Sequence, residues 1–290
     1  MFVYLNGKLV PEEKARVSVF DHGFLYGDGI YETMRAYKGI VFMVDEHIKR
    51  LFRSGDLIKL KINLSHEGIK KAIYNSLKKN NLKDAYIRLS ISRGQGEIGL
   101  DPELCKKPTF VIIAKQFKEY PEELYLRGVK ISIVKTRRNT PEALNPKIKS
   151  LNFLNNILAK IEAKEAGAYE AIMLNYKGYL TEGTITNIFF IKDNSLFTPS
   201  IEAGILDGIT RDLIIRVAER KGIKVTEGLY TPENIYDADE TFITNTTLEI
   251  LPVIKIDKNV IGKGIPGSVT KDLHRSYKEE VERYLKTGKN

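Results

Sequence analysis

The chain has 290 residues, 42% of them hydrophobic and 29% charged, with a formal net charge of +9. That length suits two modest domains or one large one, and the apolar share can fill a sizeable core. A single cysteine, Cys105, excludes an internal disulfide and fits a reducing cytoplasm, and no apolar run approaches the ~18 residues that a bilayer span needs.

Lysines interleave with glutamates, as in KKNNLKD and SYKEEVERYLKTGKN. Such charge reads as a solvated surface; a nucleic-acid binder would concentrate it in a stripe. A Lys/Glu-rich surface with few Cys and Met also resembles proteins from hot environments. The opening MFVYLNGKLVPEEK lacks the basic-then-apolar layout of a signal peptide. The expectation is a cytoplasmic protein with neither a membrane nor a nucleic acid as partner.

VYLNGKLV predicts a hairpin around Asn6-Gly7. Asp45 to Leu60 has helical spacing, with Ile48, Leu51, Phe52 and Ile58 on one side. A second amphipathic helix follows from Ser65, its N-cap, to Asn80. AYIRLSISRG and TFVIIAKQF read as strands, and the polar, proline-bearing QFKEYPEEL reads as a linker. This places an N-terminal α/β domain at residues 1–117, a linker at 118–125 and a C-terminal domain at 126–290. The second half opens with the strand GVKISIV and a helix from Leu151 to Ala166. A strand pair, EAIMLN and TNIFFIK, is expected around the turn Asn175-Tyr176-Lys177-Gly178. An amphipathic helix spans Thr210 to Lys221, and Thr231-Pro232-Glu233 reads as cap, first-position proline and acidic first turn. ETFITN and EILPVIKI are strands, and a polar helix closes the chain. The class is α+β, in two parts.

Gly94-Gln95-Gly96-Glu97-Ile98-Gly99 matches G-x-G-x-x-G after a strand, but Leu100-Asp101-Pro102 follows where a helix should continue, so a dinucleotide site is not expected. His22, His47, His66 and His274 show no metal-ligand spacing. Cys105 lies in a polar loop and makes a poor nucleophile.

Lys149 stands at the join of an extended stretch and a helix. A lysine at such a boundary more often snorkels to water; a buried one loses its proton more easily and can then attack an aldehyde. Its context strengthens the chemical reading. Glu182, in Thr181-Glu182-Gly183, is either a turn residue or the partner of a protonated ring nitrogen in an electron-sink cofactor. Asp207-Gly208-Ile209-Thr210 starts a helix, where amides and a hydroxyl can hold an anion. Thr244-Asn245-Thr246-Thr247 ends a strand with hydroxyls, and Arg50 offers a charge-assisted partner.

The blocks FDHGFLYGDGIYETMRAY, DEHIKRL, AYIRLSISRGQGEIGLDP, IKSLNFLNNILAKIEA, TEGTITNIFFIKD, ILDGITRD and ITNTTLEILPV, in this order, resemble the class IV aminotransferases. These are the pyridoxal-phosphate enzymes of fold type IV, a family that includes branched-chain and D-amino-acid aminotransferases and aminodeoxychorismate lyase. The resemblance covers nearly the whole chain. It implies a D-amino-acid-aminotransferase-like fold, with a smaller N-terminal α/β domain and a larger C-terminal pseudo-barrel domain. It also implies pyridoxal 5'-phosphate as cofactor, amino acid and 2-oxo acid substrates, and a homodimer whose second subunit closes the pocket. By the same resemblance Lys149 is the Schiff-base lysine and Glu182 partners the pyridine nitrogen. Arg50, Ile209, Thr210 and Thr246 form the phosphate cup, with Thr247 beside them. The reaction is transfer of an amino group in two halves, with 2-oxoglutarate as acceptor.

Tyr86 and Arg88 in AYIRLSISRG, and Arg35 in MRAY, match the branched-chain type, where they organise the substrate carboxylate. The Pro-Arg-x-His stretch of typical D-amino-acid enzymes is replaced by Gln95-Gly96-Glu97-Ile98. Other positions depart from the branched-chain type. Tyr31-Glu32-Thr33 stands for Phe-Glu-Gly, Phe153 for a tyrosine that donates to the cofactor's phenolic oxygen, and Thr246-Thr247-Leu248 for Thr-Ala-Ala. Tyr31 and Thr247 also occur in D-amino-acid and lyase-like relatives. The favoured expectation is a branched-chain or broadly hydrophobic L-amino-acid aminotransferase. D-amino-acid aminotransferase and aminodeoxychorismate lyase are the alternatives, and a non-catalytic binding protein on the same scaffold is a remote one. Retention of both Lys149 and Glu182 argues against the last.

Overall fold

A computed structural model of the chain describes residues 1–288. It divides into two units. Unit 1 takes Met1–Lys118, Ile148–Phe153 and the chain's end from Tyr284; unit 2 takes Glu119–Lys147 and Leu154–Arg283.

Unit 1 is an antiparallel sheet covered by two helices. Its strands are β1 (Phe2–Leu5), β2 (Lys8–Pro11), β3 (Gly29–Tyr37), β4 (Ile40–Val41), β5 (Ala85–Ser92) and β6 (Thr109–Gln116), ordered β2-β1-β6-β5-β3-β4. Asn6 and Gly7 turn the first hairpin with φ of 47° and 92°, as the Asn-Gly pair predicts. The helices are α1 (His22–Tyr26), α2 (Val44–Leu57) and α3 (His66–Lys79). Ser65 caps α3 by accepting from the Gly68 amide. Ile48 and Leu51 of α2 and Ile69, Ile73 and Leu77 of α3 pack on Ile30 and Met34 of β3, Ile87 and Leu89 of β5, and Ile112 of β6. Period 3.6 on the helices and period 2 on the strands thus meet in one apolar layer. The opposite face of β3 and β5 is left to polar and aromatic side chains.

Unit 2 opens with α4 (Glu122–Arg127), inside a stretch that the sequence assigns to the linker. Its strands are β7 (Val129–Ile133), β8 (Glu170–Leu174), β9 (Leu180–Gly183), β10 (Asn187–Lys192), β11 (Ser195–Pro199), β12 (Val225–Gly228), β13 (Glu240–Asn245), β14 (Glu249–Ile256) and β15 (Asn259–Val260). They form one sheet ordered β12-β11-β10-β13-β14-β7-β8-β9, with β15 on β14. The edge strand β9 approaches β10 and β11, so the sheet curls into the expected pseudo-barrel. The helices are α5 (Leu154–Glu165), α6 (Ile209–Arg220), α7 (Pro232–Tyr236) and α8 (Ser268–Thr287), the last of which passes into unit 1 at Tyr284. A core of Ile172, Leu180, Ile188, Ile243, Leu251 and Val253 fills the sheet's concavity.

Three expectations change. EAIMLN does not pair with TNIFFIK; across the Asn175–Gly178 turn β8 meets the four-residue β9, while β10 lies between β11 and β13. The helix after Lys149 starts at Leu154, because Lys149 to Leu151 are held along β3 by bonds to Gly29 and Tyr31 and by the Ser150–Ile30 bridge. And Ile148–Phe153 belongs to unit 1, although the sequence division gave all of 126–290 to the second domain.

Candidate active site

In unit 1 the lysine segment is laid along the start of β3. The Tyr31 amide donates to the Lys149 carbonyl at 2.9 Å, Ser150 bridges Ile30, and the Leu151 amide donates to the Gly29 carbonyl at 2.9 Å. On its other side the Lys149 amide donates to Ser54 Oγ of α2 at 3.2 Å. Position 29 has to be glycine for this: a Cβ would come within 2.6 Å of both the Ile91 carbonyl oxygen and Leu151 Cδ1. These bonds fix the backbone, and the Lys149 ammonium lies 4.5 Å from the centre of the Tyr31 ring. Lys149 is half-buried rather than enclosed.

The strand register decides which side chains surround it. Arg35 faces Tyr86, Thr33 faces Arg88 and Tyr31 faces Ser90, so Tyr31, Arg35, Tyr86 and Arg88 project from one face of the sheet. The Arg88 guanidinium lies 4.2 Å from the Tyr31 ring centre, and the Phe153 ring 5.2 Å from it. Arg35 is packed against the Tyr37 and Phe117 rings, 4.2 Å and 3.8 Å from their centres.

The other face of β3 carries Glu32, which the sequence reading passed over. Its carboxylate accepts from Arg50 Nε at 2.7 Å, from Arg50 Nη2 at 2.8 Å and from His47 Nδ1 at 2.7 Å. Since a carboxylate only accepts, the His47 proton sits on Nδ1. Burial pushes the Glu32 carboxyl up, but the charge and hydrogen bonds of Arg50, with those of His47, bring it down to about 2. Burial holds the His47 imidazole below its ordinary value against the pull of Glu32, and the charges of Arg50 and Lys149 push the same way. Arg50 is thus a cation held by an ionised, fully enclosed carboxylate.

In unit 2 Glu182, at the end of β9, is 5% exposed. It accepts from Arg138 Nε at 2.8 Å, Asn187 Nδ2 at 3.2 Å and the Leu206 amide at 3.0 Å. Asn187 is five residues on, and buried polar residues fill most of Thr181–Asn187, a signal available in the sequence. Arg138 comes from an irregular loop with no such signal. Asn187 also donates to the Leu206 carbonyl, just before the α6 start. Gly208 is the N-cap of α6 and brings no capping side chain, so no N-cap side chain covers the first-turn amides around Ile209 and Thr210. Thr246 and Thr247 form the turn between β13 and β14.

The remaining sequence signals have structural explanations. Gly94 cannot bear a side chain because a Cβ would sit 1.8 Å from the Lys107 carbonyl oxygen. Cys105 Sγ donates to the Gly94 carbonyl, and burial raises its thiol. His22 Nε2 meets the Glu97 carbonyl at 2.9 Å. Among the described residues no His, Cys, Asp or Glu cluster could hold a metal, and no helix is long and apolar enough to cross a membrane.

The donor types fit pyridoxal 5'-phosphate. They comprise one amine fixed by its backbone, one carboxylate ion-paired with an arginine, an uncapped helix start and a fixed guanidinium. An antiparallel sheet capped by two helices, with a curled sheet beside it in sequence, is the architecture of fold type IV. A family model described as amino-transferase class IV matches residues 29–256, and the chain belongs to that family. It is an aminotransferase by family, and pyridoxal 5'-phosphate is the family's cofactor.

Among its relatives, a Methanocaldococcus jannaschii protein provisionally named branched-chain-amino-acid aminotransferase is 48% identical over 279 residues, covering 96% of each chain. The aminodeoxychorismate lyase of Bacillus subtilis is 38% identical, over 98% of this chain and 96% of its own. A crystal structure of the Escherichia coli branched-chain amino acid aminotransferase superposes with a TM-score of 0.93. It is 33% identical and covers 96% of this chain and 93% of that one.

Proposed function

We propose that this chain transfers the amino group of branched-chain or other hydrophobic L-amino acids to 2-oxoglutarate, in two half-reactions that share one site. The observation that carries the reading is the stack of Lys149, Tyr31 and Arg88 on one sheet face. It sets an amine beside an aromatic wall and a carboxylate-binding cation.

Pyridoxal 5'-phosphate, when bound, supplies an electron sink for the charge that develops at the substrate Cα. Lys149 would hold the cofactor covalently, and its amine, when free, would move the proton at the substrate Cα. Glu182, ion-paired with Arg138, would face the ring nitrogen and favour its protonated form. Amides of Ile209 and Thr210, with Thr246, would bind the phosphate, and Arg50 is assigned to the same group by resemblance to the family. Arg88, Tyr86 and Tyr31 orient the substrate carboxylate and side chain, with Thr247 at the second contact and Arg35 supporting the sheet face. Because one site serves donor and acceptor in turn, the kinetics are ping-pong.

The expected homodimer is supported by apolar side chains that each unit leaves in water. Leu154, Ile157, Leu158 and Ile161 of α5 are 48–65% exposed at i, i+3, i+4, i+7 spacing, and Phe24 and Leu100 of unit 1 are 72% and 83% exposed. Light scattering should give twice the 33.0 kDa chain mass.

The test of function is a spectral titration of purified, cofactor-loaded protein with paired L and D amino acids. L-Leucine and L-glutamate should bleach the bound chromophore, and 2-oxoglutarate should restore it. Bleaching by D-alanine alone would overturn the substrate assignment. Release of pyruvate from aminodeoxychorismate would instead favour the lyase reading, which Tyr31, Thr247 and the 38%-identical lyase relative support.

A further inference from the structure

The turn between β13 and β14 is held from four directions. Asn245 pairs with Glu249 in the ladder, leaving a three-residue connection, Thr246-Thr247-Leu248. Asn245 Oδ1 accepts from the Thr247 amide at 2.9 Å, the Leu248 amide at 2.8 Å and Thr247 Oγ1 at 3.0 Å. Two backbone N–H groups identify that atom as the oxygen. Thr247 Oγ1 has then spent its proton, so Tyr120, 3.3 Å away, is the donor to it. Tyr125 of α4 donates to the Leu248 carbonyl at 3.1 Å.

The fourth hold is unusual. A left-handed residue, a backbone state that glycine enters most readily, follows the three-residue connection. Here that residue is Glu249, with φ of 58°. A side chain is kept where its absence would relieve the backbone, and it is only 7% exposed. Its carboxylate lies 2.8 Å from His274 Nε2 on α8. The His274 ring stacks on Tyr125, with centres 5.3 Å apart and planes 21° from parallel. The Glu249 carbonyl in turn accepts from Thr244 Oγ1. Glu249, His274 and Tyr125 therefore join α4, α8 and the turn through one cluster.

We propose that Glu249, His274 and Tyr125 are positioning residues: they hold the Thr246–Thr247 turn in its anion-binding shape and so set its affinity for the anionic group it grips. This rests on the reading above that the turn holds the cofactor phosphate or the substrate carboxylate. A glycine at 249 would satisfy the backbone and keep the Thr244 bond to its carbonyl, but would lose the link to His274 and α8. Glutamine at 249 can still accept the Nε2–H bond.

The test uses His274→Ala, Glu249→Gly and Glu249→Gln. The readouts are hydrogen exchange of the peptide spanning residues 244–251, the dissociation constant for pyridoxal 5'-phosphate, steady-state kinetics and Tm. His274→Ala and Glu249→Gly should speed exchange of that peptide about tenfold. They should also weaken cofactor affinity, or raise KM for the 2-oxo acid, by about tenfold, with kcat within twofold. Glu249→Gln should stay near wild type. Unchanged exchange in His274→Ala overturns the proposal whether or not the protein binds the cofactor. Faster exchange with cofactor affinity and KM both unmoved, or a lowered Tm alone, also overturns it. Wild-type protein that takes up no cofactor sinks the functional reading instead, and the exchange result then judges the clamp by itself.

Discussion

The Glu32 carboxylate grips Arg50 through both Nε, at 2.7 Å, and Nη2, at 2.8 Å, and neither side chain is more than 6% exposed. Removing one member of such a pair strands a buried charge, which costs more than the pair itself contributes. Glu32→Gln should therefore lower unfolding free energy by about 3–5 kcal/mol, read in urea titrations of cofactor-free protein. It should also weaken phosphate-bearing ligands, because Arg50 loses its tether.

The same cluster sets an acid limit. Glu32 has a folded pKa of about 2 against an ordinary 4.5, and His47 is held below its ordinary 6.5. Both values are depressed, so the unfolded chain binds protons first and stability falls as pH falls. The His47 contribution is lost from about pH 6.5 downward, and the Glu32 contribution from about pH 4.5 towards 2. The Glu32 share is on the order of 3 kcal/mol. Unfolding free energy measured against pH should slope downward through this window, and Glu32→Gln should flatten its lower part.

Lys149 is the residue proposed to carry the cofactor. Borohydride treatment of the loaded protein should add one pyridoxyl mass, and peptide mapping should find it on Lys149. Lys149→Ala should bind the cofactor reversibly, take no label and lose at least about 10²-fold in transamination. A label on another lysine would refute the assignment.

Gly208 is confined by sterics rather than by backbone angle, with φ of −76°. A Cβ there would lie 2.0 Å from Asn187 Oδ1. Gly208→Ala should displace Asn187 from Glu182 and from the Leu206 carbonyl. A loss of about 1–3 kcal/mol, the usual cost of overpacking, should accompany weaker cofactor binding. Unchanged affinity would show that Asn187 does not support Glu182.

Much of this was legible before the structure. The Asn6-Gly7 hairpin, the Ser65 cap and the apolar stripes of α2 and α3 depend on local chemistry and periodicity, and the structure has them where they are expected. The pairing of β8 was misjudged because Leu180–Gly183 is too short to show alternation and looks like a continuation of the turn. Arg138 and Glu32 were missed for a different reason. Each acquires its role from a partner far along the chain, 44 residues away for Arg138 and 18 for Glu32. Local pattern does not record such pairings. The block around Lys149 marks it in the sequence, while the bonds that seat it, to Ser54 and Tyr31, join positions too distant for any local pattern to show.

Ile148–Phe153 is claimed by one unit although both its flanks belong to the other. Neither unit can thus be excised as a continuous length of chain with its chemistry intact. A fragment ending at Lys118 keeps the aromatic wall and loses the amine, and the complementary fragment keeps the amine without Tyr31 and Ser54 beside it. Exchange of whole halves between relatives would have to carry this six-residue loan across with the wrong half, which ties the inheritance of the two units together.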